Sequence, residues 1–158
     1  MNLFKMKINN RNEKLSPNES ENVKLPRTLE STIFEILLAV TLVVVWVLLL
    51  RSLKTLNLAV PAGFYIAPAI TSVMALVLMF FVAYRPGYVN MGGKGATNLK
   101  QQKLKAQFAR VLSLMMALLP LNSLENLSMQ SGFFTVVFGI VAIVGAVVYS
   151  ILIYRAGR

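Results

Sequence analysis

The sequence predicts an all-α membrane protein with four transmembrane helices, and three observations support that fold class. Of the 158 residues, 56% are hydrophobic and only 14% are charged, whereas a soluble domain carries roughly 25% charged residues. Three apolar stretches are each long enough to cross a hydrocarbon core of ~30 Å as a helix. The basic residues are distributed among the connecting segments as expected for four spans with both termini cytoplasmic.

Residues 1–31 are polar, Asn-rich and of mixed charge. Such a segment cannot bury enough apolar area to offset its chain entropy, so we predict a disordered cytoplasmic tail. It is too long and too polar for the first region of a cleaved signal peptide, and we expect the mature protein to keep it. The four-helix transmembrane domain is predicted over residues 32–158.

Hydropathy alone defines three spans. Residues 33–50 are apolar except for Glu35 and Thr41, and residues 64–84 and 133–154 contain no charged side chain. Stretches of this length and composition are typical of transmembrane helices.

The third span in chain order, residues 108–124, is predicted from charge. Its apolar run is short and contains Pro120, so a re-entrant or interfacial segment is the alternative on length alone. With four spans, 14 of the 16 basic residues lie on the inner side and only Arg51 and Lys54 lie outside. Basic residues near span ends stay cytoplasmic, which favours four spans in the cytoplasmic (inner) membrane.

A basic stretch precedes that third span. Between Arg85 and Arg110 there are six basic residues and no acid, and apolar residues recur at helical spacing in its second half. We predict a basic interfacial helix that lies on the membrane surface and continues into the span. Its expected contacts are lipid headgroups or a partner protein, and the residues predicted to make them are Lys100, Lys103, Lys105 and Arg110. A nucleic-acid partner is not expected, because the stretch offers few aromatic side chains for base stacking.

Glu35 is the only acidic residue within a predicted span, and ionisable groups in a membrane are functional candidates. One hypothesis is a proton-coupled site, since small multidrug transporters with four helices are similar in carrying a Glu in their first helix. The favoured interpretation is a helix cap, because Thr32 and Glu35 have the spacing of a capping box. Glu35 also lies close enough to the helix start to reach water or Arg27.

The fourth span carries small residues at helical spacing, among them Gly139, Ala142 and Ala146. Small residues let helix backbones approach closely in lipid. We predict that this face packs against the first or second span, with homodimerisation through it as the alternative.

The composition argues against an enzyme and against a cofactor. The chain contains no Cys, His or Asp, which excludes zinc sites built on those residues, His-ligated haem, thiol catalysis and Ser-His-acid triads. The glycine-rich residues 92–97 do not match a phosphate-binding loop, because Gly93 occupies the position that the motif reserves for Lys.

Residues 24–124 resemble the SdpI-like family of small bacterial membrane proteins. The features that carry the resemblance are Leu25-Pro26-Arg27-Thr28, Glu35, Trp46, Tyr84-Arg85-Pro86, Val89-Asn90, Thr97-Asn98 and Gln102. The segment from Ser52 to Gly63 departs from the family pattern, being shorter and without His. The resemblance implies an inside amino terminus, a polar intracellular loop and a role like that of immunity proteins that also bind a regulator.

The function predicted from the sequence is that of a small integral membrane protein that acts by protein or lipid interaction. An immunity or signalling accessory is its concrete version, with the phospholipid bilayer and a membrane or regulatory protein as partners. The alternative is a subunit of a small oligomeric transporter that uses Glu35.

Overall fold

A computed structural model of the chain describes residues 24–55, 62–88, 99–123 and 133–157. Its long helices are α1 (Leu29–Thr55), α2 (Ile66–Val77), α3 (Leu99–Leu118) and α4 (Phe133–Gly157). A 3-10 turn, Ala62–Tyr65, leads into α2, a π-helical turn, Leu78–Val82, extends it, and a second 3-10 turn follows at Pro86–Tyr88. Most of the predicted tail and the glycine-rich residues 92–97 lie outside the described residues.

Four helices are long and apolar enough to cross a membrane. They cover Leu29–Thr55, Gly63–Val82, Leu99–Ser123 and Val136–Ala156, close to the four predicted spans. The third, which hydropathy left ambiguous, is among them, so the prediction of an all-helical chain with four candidate spans is confirmed.

The first helix begins earlier than the sequence analysis predicted. The Thr28 hydroxyl accepts a hydrogen bond from the Ser31 amide at 3.2 Å, and the Ser31 hydroxyl accepts one from the Thr28 amide at 2.9 Å. This reciprocal pair makes Thr28 the N-cap of α1. The predicted capping box of Thr32 and Glu35 is therefore wrong, because both residues lie inside the helix and Glu35 belongs to its second turn.

Helix α3 is at the centre of the bundle and packs against all three other long helices. It buries mainly small and polar side chains, namely Gln102, Lys105, Ala106, Ala109, Arg110, Ser113 and Ala117. Small residues allow close approach of neighbouring helices, and the surrounding helices shield the polar groups from lipid. The central position of α3 thus explains why the least apolar of the four helices can occupy a membrane.

Side chains of α1, α2 and α3 form a shared core. Leu38, Ala75, Met79 and Ala117 are buried together, and the Ser113 hydroxyl donates to the Ala75 carbonyl at 2.7 Å. A hydrogen bond of this kind satisfies a hydroxyl that has no water partner in the apolar interior.

Helix α4 packs mainly on α3. The centres of the Phe108 and Tyr149 rings lie 5.2 Å apart. The side-chain amide of Gln101 donates a hydrogen bond to the backbone carbonyl of Ile153 at 3.0 Å. The prediction that α4 packs against the first or second span is therefore wrong. The other faces of α4 expose valine and isoleucine side chains along most of its length, as expected of a helix that contacts lipid.

The small residues of α4 lie in open surroundings. Gly139 and Ala142 line an apolar cavity of about 280 Å³ between α3 and α4, and a Cβ atom added at Gly139 would meet nothing within 4 Å. Ala146 is half-buried. Within the described chain, Gly139 therefore does not bring two helix backbones together.

Candidate functional site

Polar side chains from three helices meet at one end of the bundle, where α1 begins, α2 ends and α3 passes between them. We call this group the polar cluster, and its members are Arg27, Glu30, Glu35, Tyr84, Gln107 and Arg110. A backbone hydrogen bond from the Leu25 amide to the Tyr84 carbonyl, 3.1 Å long, holds the segment before α1 against the end of α2.

Glu35 is held by two donors. Arg27 Nη2 lies 2.5 Å from Glu35 Oε2, Arg27 Nε lies 3.5 Å from Oε1, and the Tyr84 hydroxyl donates to Oε1. The Glu35 side chain is only 10% exposed, whereas that of Arg27 is 68% exposed. An acid in an apolar helix is costly unless it is paired, and these two donors provide the pairing.

The contact between Glu35 and Arg27 confirms the expectation that Glu35 reaches that residue. Tyr84 was not predicted as a partner of Glu35, because the two residues are 49 positions apart in the sequence. The hydrogen bond with Glu35 raises the pKa of the Arg27 guanidinium above its ordinary value, so Arg27 stays charged throughout the neutral range.

Arg110 is the buried cation of the polar cluster. Its side chain is 6% exposed, and its Nη1 lies 3.8 Å from Glu30 Oε1. The guanidinium carbon lies 5.9 Å from the centre of the Tyr84 ring, a cation–π distance. Its Nε has no hydrogen-bond partner in the part of the chain that the structure describes.

Glu30 is shared between two residues of α3. Besides its long contact with Arg110, its Oε1 accepts a hydrogen bond from the side-chain amide of Gln107 at 3.1 Å. The Glu30 side chain is half exposed, so water competes for it. Glu30 therefore neutralises Arg110 only in part.

The four basic residues predicted to contact headgroups or a partner divide into two groups. Lys100 and Lys103 are exposed, whereas Lys105 and Arg110 are buried. All four belong to one continuous helix, Leu99–Leu118, and the interfacial position of its first turns stays a prediction. Because α3 is central, half of the predicted surface contacts face other helices.

The charges of the described residues are unevenly distributed between the two ends of the bundle. We call the end that contains the polar cluster the cationic end, and its basic residues are Lys24, Arg27, Arg85, Lys100, Lys103, Lys105, Arg110 and Arg155. The opposite end carries Arg51 and Lys54, at the last turns of α1. The antiparallel order of the helices produces this asymmetry.

The polar cluster is built for ion pairing and hydrogen bonding. Both of its carboxylates contact a guanidinium, and the described residues contain no group of three His, Cys, Asp or Glu side chains that could hold a metal ion. Lysine and arginine side chains at this end can pair with anionic groups.

The fold and the polar cluster together define a helical membrane protein with four candidate spans and one strongly cationic end. Comparison of the chain with protein-family models, with curated proteins and with solved structures gives no match. The resemblance to the SdpI-like family stays a prediction.

Proposed function

We propose that the protein is a non-enzymatic multi-pass protein of the bacterial cytoplasmic membrane that acts by binding another protein through its cationic end. An immunity or signalling accessory is the concrete form of this role. The observation that carries the proposal is that exposed basic side chains gather at one end of the bundle and outnumber the acids described there, Glu30 and Glu35, each of which contacts a guanidinium group.

The orientation follows from the charge distribution. Basic residues close to span ends are retained on the cytoplasmic side, which supports an orientation with the cationic end and both termini inside. A reporter of cytoplasmic location fused after Lys103 or after Arg158 is expected to be active, and the same reporter fused after Lys54 is expected to be inactive. If a reporter of external location were active when fused after Lys103 or after Arg158, the proposed orientation would be refuted.

The surface proposed for the partner is formed by Lys100, Lys103 and Arg85. The two lysines are exposed and one turn apart on α3, and Arg85 is half-buried beside the ring of Phe81. Complementary charge across an interface accelerates encounter and rejects partners of the wrong sign. The partner is therefore expected to present acidic side chains, and the resemblance to the SdpI-like family favours the same class of role.

The experiment is a cross-linking pull-down from membranes of the native host. We expect the double variant Lys100→Gln/Lys103→Gln to lose most of the recovered partner, because exposed charge governs association. Lys105 is left unchanged, since it is buried and its replacement would disturb the bundle. The matched control is Arg51→Gln/Lys54→Gln at the opposite end, and equal recovery with both double variants would contradict the proposal.

The transporter alternative receives less support from the geometry. A proton-carrying acid must exchange its proton and its partners during the cycle, whereas the carboxylate of Glu35 is engaged by Arg27 and Tyr84 within two turns of the helix start. This arrangement favours a structural connection between α1 and α2.

A further inference from the structure

Arg110 is incompletely paired for a buried cation. Its side chain is 6% exposed, its closest acidic oxygen is 3.8 Å away, and its Nε has no hydrogen-bond partner among the described residues. Buried charged groups are normally both paired and hydrogen-bonded, because desolvation is otherwise uncompensated. The guanidinium therefore has the capacity to bind a further anion.

The position of Arg110 along α3 places it at the level of the first turn of α1, where Glu30 lies. Arg110 lies at the start of the predicted span 108–124, and Glu30 lies in the first turn of the candidate span Leu29–Thr55. In a bilayer this level corresponds to the boundary between the hydrocarbon core and the headgroups. The phosphate groups of phospholipids lie near this level.

The same face of α3 leads from Arg110 outwards to an exposed lysine. Lys103 precedes Arg110 by seven residues, which is two helical turns, or about 10 Å along the axis. Because α1 begins only at Leu29, it covers Arg110 but not Lys103, which is exposed. A headgroup that approaches this face meets Lys103 first and Arg110 at greater depth.

We propose that Arg110 binds the phosphate of an anionic phospholipid, which enters between α3 and the start of α1 and displaces the carboxylate of Glu30. The guanidinium offers its Nε and Nη hydrogens in the planar arrangement that matches two phosphate oxygens. Glu30 is suited to being displaced, since its side chain is half exposed and its contact with Arg110 is long.

A lipid is favoured over an acidic segment of a protein because of where Arg110 lies. The residue is buried within a candidate span, so a ligand that reaches it moves laterally within the bilayer, which is the ordinary route of a phospholipid. The inference rests on the proposed function in one respect, namely that the cationic end lies in a leaflet containing anionic lipid.

The test uses the purified full-length chain in a neutral detergent and counts bound lipid by native mass spectrometry. The probes are phosphatidylglycerol, a diacylglycerol with the same acyl chains but no phosphate, and, as competitors, inorganic phosphate and an acidic peptide. We expect Arg110→Gln to weaken phosphatidylglycerol binding by about tenfold or more, as expected for loss of a charge-assisted, bidentate contact. We expect Glu30→Gln to strengthen it by about threefold or more, because the competing carboxylate is gone.

The opposite signs of these two effects separate ligand binding from a merely structural role. Lys54→Gln, at the other end, is the matched control and should leave the affinity unchanged. If Arg110→Gln fails to fold, as judged by circular dichroism, Glu30→Gln decides alone, because Glu30 is half exposed and its replacement spares the interior.

Three results would overturn the proposal. The first is unchanged lipid binding by folded Arg110→Gln, or unchanged or weaker binding by Glu30→Gln. The second is equal binding of phosphatidylglycerol and diacylglycerol, which would show that only the acyl chains are recognised. The third is Arg110-dependent binding of inorganic phosphate or of an acidic peptide with no binding of phosphatidylglycerol. Failure of the proposed partner role would appear separately, in the pull-down with Lys100→Gln/Lys103→Gln.

Discussion

Arg27 and Glu35 join the segment before α1 to the second turn of that helix, through a contact of 2.5 Å between Arg27 Nη2 and Glu35 Oε2. The arginine side chain is largely exposed, whereas the side chain of the acid is largely covered. Tyr84 completes the connection from the end of α2. One carboxylate thus joins the segment before α1, the second turn of α1 and the end of α2, which is 49 residues further along the chain.

Tyr84→Phe is expected to destabilise the bundle, because it removes the hydroxyl that donates to the partly buried carboxylate of Glu35. Hydrogen bonds to charged groups contribute about 1.5–3 kcal/mol. A double-mutant cycle with Glu35→Gln, measured by unfolding in detergent, should show coupling between the two residues. Tyr65→Phe, at the opposite end, serves as the control. Additive effects of Tyr84→Phe and Glu35→Gln would contradict the connection.

The stabilisation from Arg27 is expected to be independent of pH in the neutral and mildly alkaline range. The hydrogen bond with Glu35 raises the pKa of Arg27. A cation with a raised pKa stabilises the fold below its unfolded pKa, and this stabilisation is lost only as the pH rises through the higher folded pKa. Both values lie far above neutrality, so the coupling between Arg27→Gln and Glu35→Gln should be equal at about pH 7 and about pH 9. A coupling that falls between these values would show that another group carries the interaction.

Glu35→Gln is expected to leave proton permeability unchanged. The structure places the Glu35 carboxylate between Arg27 and Tyr84, where it accepts hydrogen bonds from both residues. The measurement is the rate of pH equilibration in proteoliposomes that contain equal amounts of folded wild type and variant. A rate that drops on this replacement would restore the transporter hypothesis.

Hydropathy and charge were sufficient to predict the four candidate spans, because lipid imposes a minimum length on every crossing helix. They could not place α1 correctly. Thr28 with Ser31 and Thr32 with Glu35 have the same three-residue spacing, so either pair could cap the helix. The first pair forms the cap, because the carboxylate of Glu35 is hydrogen-bonded to Arg27 and Tyr84 instead. Tyr84 is distant in sequence, so nothing in the local pattern selects the earlier cap.

The sequence pattern also did not predict which face of α3 packs against the other helices. The periodicity of α3 separates a face containing Leu104 and Phe108 from more polar faces, and the apolar face would be buried in a soluble protein. In the structure the most deeply buried positions of α3 include Gln102, Ala106 and Ser113. A membrane removes the driving force for burying apolar side chains, so small and polar residues mark the contacts instead. The burial of Lys105 and Arg110 has the same cause, because polar side chains in a membrane face other helices and apolar ones face lipid.

Replacing two small residues should have opposite effects on stability. Ala117 is fully buried against Leu38, Ala75 and Met79, so Ala117→Leu is expected to overpack the core and to cost about 1–3 kcal/mol. A Cβ atom at Gly139 would meet nothing within 4 Å, so Gly139→Ala is expected to stabilise α4 by about 0.5–1 kcal/mol. Unfolding in detergent measures both changes.

A destabilising effect of Gly139→Ala would contradict the open surroundings of that glycine. It would indicate that another backbone approaches α4 there, as homodimerisation through this face requires. Measuring the oligomeric state of the same variant would then distinguish a second copy of the chain from a rearranged bundle.

Ser72→Ala is expected to change the environment of Trp46, which is the only tryptophan of the chain. The indole Nε1 of Trp46 donates to the Ser72 hydroxyl at 3.0 Å, and that hydroxyl in turn donates to the Pro68 carbonyl at 2.8 Å. Removing the hydroxyl leaves the indole N–H without this acceptor, at a cost of about 1 kcal/mol. Because a polar partner stabilises the excited indole, its loss should shift the tryptophan emission to shorter wavelength.

Thr71→Ala is the matched control, since the Thr71 hydroxyl donates only to carbonyls of its own helix region, those of Ala67 and Pro68. Equal emission spectra for Ser72→Ala and Thr71→Ala would show that α1 and α2 are not joined by the indole of Trp46.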